Sequence, residues 1–177
     1  MESKFHKLSD LGAGDFEHLN GDLTSHLEGT YSLLREWGAS ETLSDAGLFH
    51  AAYGTAGFNE IMVSLDRRND ISELLGQEVE TLVYLYCACD RDFTYEQLVN
   101  GTSSFRNRFT GDIFELNIKQ IKDLAELTVA NELELVITGE DFRAKYGQEL
   151  FQLFEGLKPY LSSDAISAYQ SAMPEFA

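Results

Sequence analysis

Four histidines, His6, His18, His26 and His50, are the side chains best suited to holding a metal ion, and their spacing matters more than their number. His18, Asp22 and His26 follow at four-residue intervals, so on one helix all three project from a single face within about 12 Å of rise. Divalent metals take imidazole together with carboxylate, and adjacent turns of a helix can supply both. A stripe of polar groups spaced by four is equally what a solvated helix face presents. His50 differs, because it sits in Ala46-Gly47-Leu48-Phe49-His50-Ala51-Ala52-Tyr53-Gly54-Thr55, where burying an imidazole without a partner costs free energy. A histidine there is either hydrogen-bonded within the core or a ligand. Asp90 follows 40 residues later.

These residues need rigid elements to hold them, and apolar periodicity supplies helices almost throughout. Leu19, Leu23, Leu27, Tyr31, Leu34 and Trp37 recur at three to four residues, which predicts a helix over 16–37, capped by Asp15 and stopped by Gly38. A second helix starts after Ser40 and carries Leu43, Ala46, Phe49 and His50 inward as far as Gly54. A short helix after 66–70 and a largely buried one over 77–89 follow, the latter presenting Asp90 at its end. Another short helix is expected over 94–99. Residues 105–116 alternate apolar and polar around Thr110-Gly111, the pattern of a small hairpin. Asn117 then caps a long helix to about 135, and helical patterns over 141–157 and 163–173 finish the chain. The expected fold is all-α with at most one small hairpin at about 104–116, preceded by a loosely attached lead-in over 1–14 and forming one domain over 15–177.

With 177 residues and 44% hydrophobic content, the chain can bury one substantial core and needs no second domain. Its formal charge of -17, from 30 acidic against 13 basic residues, sets up a field that repels phosphate backbones and anionic bilayers, so nucleic acid and membrane are poor partners. No apolar run approaches the 18 or so residues of a membrane span, and Met1-Glu2-Ser3-Lys4-Phe5 lacks the apolar core of a signal peptide. A cytoplasmic protein is expected, with a homodimer left open. Cys87 and Cys89 point about 200° apart on a helix and have no further thiolates to join, which predicts buried free thiols.

The layout of His26, a helix-loop-helix closing on Leu48-Phe49-His50, and a buried helix closing on Cys87-Ala88-Cys89-Asp90-Arg91 resembles the HD-domain superfamily of helical metal-dependent enzymes. Over about 16–92 it is most similar to the guanosine tetraphosphate hydrolases, which place Leu-Leu-His-Asp and Ala-Asp-Arg here. The longer string from His26-Leu27-Glu28-Gly29-Thr30-Tyr31 through Tyr53-Gly54-Thr55 also looks like an uncharacterised HD-related family of small proteins. The resemblance implies an HD-like helical bundle and one divalent metal ion, Fe, Mn or Zn, held by His26, His50 and Asp90, with His18 assisting. It departs at Ala51, where the superfamily has the aspartate of its name, and at Tyr53-Gly54-Thr55, where the hydrolases carry an acidic pair.

Two imidazoles and a carboxylate with open positions suit a metal-activated water that hydrolyses a small anionic molecule. The same set is the facial triad of non-haem Fe(II) oxygenases. Ala51 favours a third reading, a metal-free binding module that kept the fold. Tyr53, on the face of His50, and Asp22 are the remaining catalytic candidates. Arg91, Arg106 and Arg108 are the candidates for binding an anionic substrate, since guanidinium grips carboxylate or phosphate in bidentate fashion, although salt bridges to the many acids would use them equally. Glu126, Asn131 and Glu134 lie on the long helix, but nothing in the sequence places them at a central site.

Overall fold

The computed structural model describes residue 6, residues 21–57 and residues 61–177. In that part of the chain the elements run α1 (Gly21–Glu36), α2 (Glu41–Phe49), a short 3-10 turn (Leu65–Arg67), α3 (Arg68–Leu75), α4 (Gln77–Ala88), α5 (Arg91–Val99), β1 (Ser104–Arg106), β2 (Ile113–Glu115), α6 (Ile118–Thr138), α7 (Glu140–Leu157) and α8 (Ser163–Ala172). The architecture is all-α with one small hairpin, in which Ser104 pairs with Glu115 and Arg106 with Ile113. No helix among the described residues is long and apolar enough to cross a membrane.

The long helix α6 is the axis of the bundle and packs against α1, α2, α4, α7 and α8. Every residue from Leu124 to Glu134 is buried, so this stretch has no solvated face on which to place its polar groups. Asn117 caps it as expected and forms a reciprocal capping box with Gln120. Helix α2 ends earlier than its apolar run suggests: Phe49 is its last residue and His50 follows as the cap. Ala51, Ala52 and Tyr53 turn away, and Gly54 takes the left-handed conformation with φ +71°. Helix α5 begins at Arg91, because the Asp90 side chain accepts from the Phe93 N–H and caps it. Cys87 and Cys89 are free thiols and buried.

Candidate functional site

Helices α1, the end of α2, α4 and α6 bring His26 and His50 together, with ring centroids 5.2 Å apart and the rings nearly perpendicular. The third element to reach the imidazoles is α6. Nδ1 of His26 bonds Glu134 Oε2, and its Nε2 lies 2.9 Å from Asn131 Oδ1. Gly29 makes room for this, since a Cβ there would fall 2.7 Å from Cγ of Glu134.

The orientation of each group follows from its neighbour. Arg91 Nη1 donates to Glu132 Oε1 at 2.8 Å, and the Asn131 amide nitrogen donates to the same oxygen at 2.8 Å. An ionised carboxylate only accepts, so the Asn131 nitrogen must face Glu132 and its oxygen must face His26. His26 Nε2 therefore donates to Asn131, and Nδ1 faces Glu134 Oε2.

His50 is almost fully buried and donates from Nδ1 to the Gly47 carbonyl at 2.7 Å. Burial holds its pKa down to about 3, and the neighbouring His26 ring adds to the depression. It is therefore a neutral ring at ordinary pH, edge-on to Tyr86 at 5.4 Å. Tyr86 in turn accepts from Arg91 Nη2 at 3.0 Å, which closes the cluster. Cys87 donates its S–H to the His50 carbonyl, and desolvation pushes that thiol up to about 12.

Asp90 takes a different place from the one the resemblance implies. One of its oxygens caps α5 and the other meets Arg106 Nη1 at 3.4 Å. Among the described residues no three His, Cys, Asp or Glu side chains are arranged to hold a metal ion. The donors present do not fit the expected three-ligand site, because His26 is engaged on both nitrogens and Asp90 is engaged elsewhere. His18 lies outside the described residues; Asp22 lies one turn before His26 on α1. Tyr53 is buried with its hydroxyl on Glu80 at 3.0 Å, beside the two-pronged pair of Arg68 with that carboxylate. Burial and the Glu80 charge both push the phenol pKa up.

The three arginines also differ among themselves. Arg91 belongs to the imidazole cluster and Arg106 pairs with Asp90 over the ring of Phe93. Arg108 bonds two backbone carbonyls, Cys87 at 2.7 Å and Gly54 at 3.0 Å. Arg91 and Arg108 line a cleft of about 310 Å³ with Ala56, Gly57, Asp90 and Asp92.

Asn131, Glu132 and Glu134 are the site residues that spacing arguments alone leave unplaced. Their signal is local: three polar side chains within four positions, set among the apolar Leu127, Val129, Ala130, Leu133 and Val136. Glu126, on the same helix, serves another end of the molecule by accepting from Ser162 at the start of α8.

Residues 7–91 match a domain of unknown function (DUF6817). The match spans just under half of the chain and takes in His26, His50 and Asp90, while the α6 side chains that meet the imidazoles lie beyond it. No curated protein and no solved structure matches the chain.

Proposed function

We propose that this chain is a metal-independent binding module for a small molecule, in which hydrogen bonds stand where a metal would hold the imidazoles. One observation carries the reading: His26 is engaged by Glu134 on one nitrogen and Asn131 on the other, with Asn131 fixed through Glu132 and Arg91. A metal-binding histidine needs a lone pair aimed at open space, and its other nitrogen commonly donates to a carboxylate. Here the second nitrogen also meets a protein acceptor. Ala51 agrees with this, since it contributes no carboxylate beside His50.

A second reading, metal-activated hydrolysis of a small anionic molecule, is favoured by the 5.2 Å approach of the two imidazoles with Glu134 alongside. It requires Glu134 to leave His26 and turn to the metal.

Elemental analysis of purified chain, with thermal melting in the presence of a chelator and of added Zn, Mn or Fe, separates the two. The module carries well under one equivalent of metal and melts at the same temperature in all conditions. One equivalent of bound metal with a melting point lowered by chelation overturns it.

A further inference from the structure

The cleft between the 54–57 loop and the start of α5 contains a cation that no carboxylate among the described residues pairs. Arg67, Arg68, Arg91, Arg106 and Arg143 each have a carboxylate within ion-pair distance. Arg35 is exposed to water. Arg108 is half-buried and has no carboxylate partner among the described residues, in a chain with 30 acids against 13 bases. Its contacts are backbone carbonyls, which orient a guanidinium without neutralising it.

That orientation is rigid. The main-chain N–H of Arg108 bonds Ala88 at 2.8 Å, so both ends of the residue are tied to the last turn of α4. The left-handed Gly54 turns its carbonyl onto Nη2 from the other side. A guanidinium has five N–H donors; Arg108 and Arg91 each spend two on the described residues, which leaves three on each among them. Both line the same cleft, whose volume of about 310 Å³ is at the small end for small-molecule sites.

We propose that this cleft binds a small anion, carboxylate or phosphate, with Arg108 supplying the charge and Arg91 the adjoining donors. Two guanidiniums lining one cleft offer planar sets of donors to the oxygens of such a group. Asp90 is held by Arg106 and the Phe93 N–H, whereas Asp92 stands exposed at the rim and opposes an entering anion. The site thereby favours a small ligand that can sit inside the rim. This inference deepens the small-molecule reading above and rests on it.

The test is calorimetric titration of the purified chain at low salt with inorganic phosphate and, separately, succinate, using neutral succinamide as the control and the same sample for metal analysis. At least one anion binds at one site per chain and succinamide does not; which anion binds identifies the headgroup. Arg108→Gln weakens binding by about tenfold or more, as loss of charge-assisted hydrogen bonds requires. Asp92→Asn tightens it by about two- to fivefold. Because Arg108 also ties Gly54 to Cys87, Asp92→Asn carries the test if Arg108→Gln does not fold. Binding of neither anion, or an affinity unchanged in Asp92→Asn, overturns the proposal. A metal-bearing chain that still binds an anion through Arg108 refutes the metal-independent reading alone; a metal-free chain that binds neither anion refutes the anion cleft alone.

Discussion

The imidazole centre and the Arg108 cleft lie on either side of Arg91 and treat charge in opposite ways. In the centre, Arg91, Glu132, Asn131, His26 and Glu134 form an unbroken chain in which each donor meets an acceptor. In the cleft, a guanidinium is fixed in place by two carbonyls with no carboxylate on it among the described residues. Buried charge is tolerable when compensated internally, and a half-buried charge left uncompensated is one available to something from outside. Arg91 belongs to both regions, and Asp90 lines the cleft rather than meeting the imidazoles.

The heaviest blow to the centre is removal of the carboxylate that meets His26. Glu134→Ala leaves the His26 ring without its acceptor and destabilises the fold by about 3 kcal/mol in urea unfolding. A loss below about 1 kcal/mol would mean that the pair contributes little and that the centre is not compensated as described. Gly29→Ala attacks the same contact sterically, since the new methyl meets Glu134 Cγ at 2.7 Å. It costs about 2 kcal/mol. Combined with Glu134→Ala its effect shrinks toward zero, and simple additivity in that double-mutant cycle contradicts the assignment.

Acid gives the next largest effect. His50 has a pKa depressed from 6.5 to about 3 in the folded chain, so between those values the unfolded state binds a proton that the native state does not. The stability contributed by the neutral ring is complete above pH 6.5 and is lost as pH falls toward 3. From neutral pH to pH 5 that single group removes about 2 kcal/mol. His50→Gln flattens this part of the stability profile; an unchanged slope would show that His50 is not the group responsible.

The smallest effect belongs to the other region. Asp90→Ala removes the cap of α5 and costs about 1 kcal/mol, with no change at either imidazole. A loss as large as that of Glu134→Ala would make Asp90 a member of the centre after all.

Much of this molecule is legible in its sequence. Helical periodicity places α1 and α6, and the Asn117 cap and the Thr110-Gly111 hairpin are found where their local chemistry puts them; that His26 and His50 meet is implied by the family resemblance rather than by periodicity. What spacing cannot convey is which later element completes the cluster. Asp90 and Glu134 are both carboxylates next to apolar helices, and only tertiary packing decides that one caps α5 while the other reaches His26. The end of α2 is similarly hidden, because the apolar run continues through Ala51-Ala52-Tyr53 after the helix has stopped, and those residues are buried in the turn as they would be in a helix. Tyr53 shares a helical face with His50 on paper, but that early turn carries its hydroxyl to Glu80.

Long-range proton–nitrogen correlation of the imidazoles in uniformly labelled chain tests the central claim most directly. His50 is predicted to keep a single proton, on Nδ1, from pH 7 down to pH 5, with an Nε2 shift unaffected by chelator or added zinc. An Nε2 that moves on chelation, or a His50 ring that gains its second proton near pH 6.5, would contradict it.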